Sequence, residues 1–293
     1  DEERKICMEK SAILSALATE VEQGRLIFPT STHAAIKIKE KLEDPDCSLD
    51  AVIRLIQAEP LLSTKVVAIA NSAVFNRSGK KVTDVRSAVT LIGMRTVRNL
   101  ATVIAVQQLT GPQGRSEQAE QLWRHSAYVA ALAQVIARRV TRKDPETALF
   151  AGMIHEISWF YLLAREKYFP GLIDDSMASS WTADEDLEDE SELDCEITIG
   201  TAILKALSVP QPVIDDIVYL WRGYLAFPPD TLGDTLLIAN QLAPIKSPFV
   251  LPSNLSGTNA IADLDVLTDE DTLSEILKDS AAEVKSLTEA LCV

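Results

Sequence analysis

The chain is short of the residues that build disulfide scaffolds, metal clusters and exported segments. It has four cysteines and three histidines among 293 residues. Cys7, Cys47, Cys195 and Cys292 are scattered, with no CxxC or Cys/His spacing that would gather several soft ligands around one ion. They read as reduced thiols of a cytoplasmic protein. No apolar run approaches the roughly 20 residues that span a bilayer, and the opening stretch DEERKICMEK is charged where a secretion signal turns apolar. A cytosolic chain away from any membrane is the expectation. Positive charge is also scarce. Against 43 Asp and Glu there are 28 Lys and Arg, a formal net charge of −15, which argues against nucleic acid as a partner because phosphate-backbone binding needs surplus cations. Alternating apolar and polar residues bounded by hairpin turns are missing as well, which removes the usual signal for strands.

What is present is apolar residues at helical spacing, in a chain whose 47% hydrophobic content is ample for a large core. In SLDAVIRLIQAEP, Ser48 is placed to cap a helix and Leu49, Val52, Ile53 and Ile56 share a face, with Pro60 just beyond the end. In TVRNLATVIAVQQL the same period links Val97, Leu100, Ala101 and Ile104, and Gly111-Pro112 stops it. SAYVAALAQVIARRV is apolar on most sides up to Arg138, as expected of a helix in the middle of a bundle. The last segment opens with Thr268 and three acids and then lines up Leu273, Ile276, Leu277, Ala281, Val284, Leu287 and Leu291, which predicts a terminal helix with acids at its positive end. The expected fold class is all-α, a multi-helix bundle. Two segments break the pattern. Residues 174–196 contain DEDLEDESELDCE, where nine of thirteen residues are acids that repel one another, as in a solvated insertion. Residues 244–259 hold three prolines with Gly and Asn and read as an irregular connection.

Several blocks occur in a recognisable order. Phe28-Pro29 is followed by a block from Asp44 to Ser72 that contains DP, AEPLLSTK and ANS, then by one from Val82 to Leu100 that contains SAVTLIG and VRNL. LWRHS at 122–126 and ALFAGMIHEIS at 148–158 continue the series. On these blocks the chain resembles the HD-related output domain (HDOD) family, over roughly residues 25–245. The resemblance implies a helical bundle distantly related to the HD phosphohydrolases and acting as an output or interaction module in bacterial signalling. It divides the chain into a leading helix (1–24), the HDOD helical domain (25–245) and an irregular connection with a C-terminal helix (246–293).

An HD phosphohydrolase holds one or two divalent ions with a histidine, an adjacent His-Asp pair and a later aspartate, leaving bound water as nucleophile. By resemblance, His125 matches the first histidine and His155 the second. Glu156 stands in place of the paired aspartate, with an extra methylene that moves its carboxylate by more than about 1 Å. Asn240 stands at the last aspartate and brings oxygen without charge. Ile157, Ser158 and Trp159 replace an IGK whose lysine meets phosphate in active relatives, while Cys195, Trp221 and Arg222 fall where further histidines occur. The set is incomplete, so His125, His155, Glu156 and Asn240 are read as a vestigial metal site, with no catalytic residue and no cofactor expected. The expected pocket is filled by Trp123, Trp159 and Trp221, with His155 hydrogen-bonded inside the bundle. A divalent ion (Mn, Mg, Fe or Zn) is the alternative.

Arg77, Lys80 and Lys81 form a basic loop around Gly79, read either as a plain connection capped by Asn71 and Ser72 or as a recognition loop. Arg222 is a further binding candidate, and Arg86, Arg95, Arg98, Arg138, Arg139, Arg142 and Lys143 would make a basic patch if they converged. The leading expectation is a non-catalytic module that signals through a protein partner. The alternatives are a metal-dependent phosphohydrolase acting on a nucleotide or phosphodiester, and a nucleotide or small-molecule sensor without turnover.

Overall fold

A computed structural model describes residues 2–28, 30–110, 117–166, 168–169, 172–173, 190–223, 226, 228–249 and 272–292. Its described residues form helices and no strand, so the fold is all-α. In chain order the helices are α1 (Glu2–Glu22), α2 (Thr30–Glu43), α3 (Leu49–Ala58), α4 (Pro60–Ala70), α5 (Val85–Gln107) and α6 (Glu117–Ile136). They continue as α7 (Pro145–Ile154), α8 (Ile157–Arg165), α9 (Glu190–Ala206), α10 (Gln211–Arg222), α11 (Leu232–Leu242), α12 (Thr272–Asp279) and α13 (Ala281–Cys292).

Local chemistry sets many of these boundaries. Ser48 accepts from the Ala51 amide and starts α3, and Pro60 at the first turn of α4 forces the break between the two helices. Asp84 caps α5 by accepting from the Ser87 amide. Within α5 the helix kinks at Gly93, whose φ of 81° and ψ of 159° lie where a side chain is strongly disfavoured. Asp144 caps α7 with Pro145 behind it. Thr231 and Asp234 form a reciprocal capping box at α11, and the buried Asp234 carboxylate also accepts from Tyr219 Oη and the amides of Ala226 and Asp230.

Helix α6 lies at the centre, packed against α7, α11 and α13. The expectation of a helix apolar on most sides holds there: Val129 through Ile136 are buried without interruption. A short π-helical turn at Ala137–Thr141 ends it. Helices α2 and α4 pack on α5, and α1 packs on α9. The C-terminal segment differs from the single helix read from its stripe. It is two helices with a break at Ser280, and α13 inserts against α4 and α6. Its Leu291 carbonyl accepts from the buried Lys65 Nζ at 2.7 Å and from Trp123 Nε1 at 3.3 Å. The predicted opening of that helix at Thr268, the Gly111-Pro112 stop and residues 174–189 of the acidic segment lie outside the described residues. Val85–Thr110 and Pro145–Arg165 do reach the length and hydropathy of a membrane span, contrary to the reading of the sequence. Most of their residues are buried within the bundle, which accounts for the apolar composition.

Candidate metal centre

Two elements bring the matched residues together. His125 sits midway along α6, and His155-Glu156 form the corner between α7 and α8. The two helices can meet because Gly152 faces the α6 backbone; a Cβ there would lie 2.5 Å from Ala130 Cα. The imidazole rings stand 5.4 Å apart, and the Glu156 carboxylate turns back between them. Its Oε1 is 3.5 Å from His125 Nε2 and 3.6 Å from His155 Nε2. With its extra methylene, Glu156 still brings its carboxylate within reach of both imidazoles.

The hydrogen bonds fix the tautomers. His125 Nδ1 lies 2.7 Å from the Ile245 carbonyl, and His155 Nδ1 lies 2.7 Å from the Gly152 carbonyl. A carbonyl only accepts, so each Nδ1 carries the hydrogen and each neutral ring turns an Nε2 lone pair toward Glu156. His125 Nε2, His155 Nε2 and Glu156 Oε2 are buried without a hydrogen-bond partner. Burial, with the neighbouring His125 second, pushes His155 down to about 3. His125 is lowered for the same leading reason, opposed by the Ile245 carbonyl and the neighbouring Asn240 side chain. Burial pushes Glu156 up to about 8, opposed by Ser247. The preferred state of the metal-free cluster is thus neutral throughout.

A strap of residues 243–249 roofs this cluster. Ile245 holds His125, Ser247 faces Glu156, and Phe249 stacks on Trp159 with centroids 4.4 Å apart and planes within 11°. The strap is tied down by Gln121 Nε2 donating to the Lys246 carbonyl. From the other side, Trp221 Nε1 donates to the His155 carbonyl at 2.8 Å and its ring presses on Gly200. Trp123 packs edge-on against Phe160. His125 and His155 are 1% exposed and Glu156 2%.

Two of the donor separations nevertheless suit one ion. Ligand atoms of His125, His155 and Glu156 all lie within 4.8 Å of one another. An ion bound tetrahedrally at about 2.1 Å spaces neighbouring donors about 3.4 Å apart, close to the two carboxylate–imidazole separations. Asn240 stands beside His125 and adds a neutral group.

The remaining candidates do not join this centre. The third histidine of the chain, His33, is exposed and packs edge-on against Phe28. Four of the seven cations that would make a basic patch are paired with acids. Arg86 pairs with Asp50, Arg95 with Asp144 and Glu146, Arg138 with Glu283, and Lys143 with Asp230. Arg222 is exposed at the end of α10, which packs on α7, α9 and α11, whereas Arg77, Lys80 and Lys81 lie on the connection between α4 and α5. The Ile245 and Ser247 contacts were missed, since nothing in the sequence marks a strap 120 residues from His125 as its cover.

The described residues form a helical bundle that brings a histidine from α6 to a His-Glu pair at the α7–α8 corner. The HDOD domain family model matches residues 28–222, and the chain belongs to that family. Among solved structures it is similar to a protein of Shewanella amazonensis SB2B provisionally named a metal-dependent phosphohydrolase, at 23% identity over 97% of this chain and 99% of that one, with a TM-score of 0.70. It is also similar to an HDOD domain protein with unknown function from Geobacter sulfurreducens, at 21% identity over 99% of both chains and a TM-score of 0.62. A provisionally named signal transduction protein of Marinobacter aquaeolei VT8 matches at 20% identity over 90% of this chain and 60% of its own, with a TM-score of 0.58. Likeness at these identities establishes the fold. No curated protein matches the chain.

Proposed function

We propose that this chain is a cytoplasmic regulatory module of a bacterial signalling pathway that acts by binding another protein, and that its His125–His155–Glu156 cluster belongs to the core. The observation that carries this reading is the burial of all three groups behind the 243–249 strap and Trp221, which leaves a phosphate ester no approach to them. Hydrolysis requires the reacting atom to come within hydrogen-bonding reach of the catalytic groups. The neutral Asn240 in place of a carboxylate supports the same reading.

A second reading has its own observation, the three orphaned ligand atoms. His125, His155 and Glu156 would hold a divalent ion there, and such an ion supplies Lewis acidity and an activated water. This chain's residues would orient it through the Ile245 and Gly152 carbonyls, which fix both imidazoles. Metal content and phosphodiester hydrolysis separate the two readings. The module reading expects no hydrolysis above that of His155→Ala in manganese or magnesium; hydrolysis that His155→Ala abolishes supports the enzyme.

A further inference from the structure

We propose that the connection between α4 and α5 is a docking site for a carboxylate-rich segment of a partner protein, held by Arg77, Lys80 and Lys81. In a chain of net charge −15, the 24 residues from Pro60 to Thr83 contain no acid. Three cations fall in its last seven residues, and all three are exposed. Six cations elsewhere are paired with acids of the chain: Lys39 with Glu43, Arg86 with Asp50, Arg95 with Asp144 and Glu146, Arg138 with Glu283, Lys143 with Asp230 and Arg165 with Glu20. Among the described residues, Arg77, Lys80 and Lys81 have no such partner.

The loop is also held in one shape. The Asn71 side chain donates to the carbonyls of Val67 and Val82 and accepts from the Val82 amide, closing the base. Asn76 donates to the Lys80 carbonyl, Ser78 Oγ bonds Asn76, and the Lys80 amide donates to Ser78 Oγ. Gly79, at φ +69°, makes the turn. The Ala73 amide donates to Ser286 Oγ, so the loop is fastened to α13. A backbone ordered before binding lowers the entropic cost of association, and the side-chain charges are left outside. Three cations over five residues match a short acidic motif. A long nucleic acid would meet the repulsion of the rest of this chain.

This assignment rests on the reading of the chain as a binding module, and its test is separate from any hydrolysis assay. The probe is a fluorescent peptide with the sequence DEDLEDESELDCE, followed by anisotropy as the whole chain is titrated at low and physiological salt. Exposed ion pairs contribute roughly threefold each, so Arg77→Gln/Lys80→Gln/Lys81→Gln lowers affinity roughly thirtyfold. Lys37→Gln/Lys41→Gln/Lys205→Gln, which removes the same charge from other exposed positions, changes it less than threefold. Binding that weakens with salt and is lost only in the loop variant supports the site. Equal loss in both variants, no measurable binding by the wild type, or tighter binding of a single-stranded oligonucleotide of equal charge overturns it. Failure of this test with no hydrolysis would sink the loop and leave the module reading standing.

Discussion

Replacing Glu156 by Gln tests the protonation state on which the buried cluster depends. Glu156 is pushed from 4.5 up to about 8 by burial, so the folded chain keeps a proton there that the unfolded chain has released. The folded state then binds more protons between pH 4.5 and about 8, and stability falls as pH rises through that window. Each unit costs about 1.4 kcal/mol, so the wild type loses on the order of 4 kcal/mol from pH 5 to pH 8 through this group. Gln is the neutral isostere, with an amide that keeps a donor near the imidazoles and carries no charge at any pH. His155 works in the opposite direction: its folded value of about 3 contributes stability above pH 6.5 that is lost on acidification, and both proteins share it. The difference between them therefore isolates Glu156. Urea unfolding followed by tryptophan fluorescence, in EDTA, reads it. Near-equal stability at pH 5 and a growing advantage for Glu156→Gln toward pH 8 are expected. A variant that is several kcal/mol weaker at pH 8 would refute the neutral cluster, since it would mean that Glu156 is ionised and paired with a charged imidazole.

Three further outcomes follow from the packing. Gly152→Ala places a methyl group against the Ala130 backbone and should cost about 1–3 kcal/mol, measurable as a lower urea midpoint. Gly93→Ala forces a side chain into the kink of α5 and should cost a similar 1–3 kcal/mol, while Gly93→Asn recovers little because ψ of 159° lies outside the ordinary left-handed region. Lys65 is pushed down to about 8 by burial, so the unfolded chain holds the extra proton between pH 8 and 10.5; wild-type stability should rise with pH there by about 3 kcal/mol relative to Lys65→Met. An unchanged difference across that range would contradict a buried ammonium at the end of α13.

The helices were legible because their period and caps are local. Ser48, the apolar face of α3 and the mostly apolar α6 are written in contiguous residues, and so is the family order of blocks that pairs His125 with His155. What the sequence could not carry is contact at long range. The acids that neutralise Arg95 lie 49 and 51 residues away, and Glu283 lies 145 residues from Arg138, so the sequence could not show which cations stay free. Side-chain length alone does not say where the Glu156 carboxylate ends, which lies between two imidazoles from different elements. The role of α13 was hidden for a similar reason: a stripe shows that a helix has an apolar face, not that Lys65 and Trp123 wait at its end.

The central claim is that this HDOD chain works without turning over a phosphate ester. Its most direct test is the rate of hydrolysis of a chromogenic phosphodiester by protein loaded with manganese, compared with His125→Ala and His155→Ala. The account predicts the same background rate for all three. A wild-type rate at least a hundredfold above both variants, the size of effect expected of functioning catalytic groups, would contradict it.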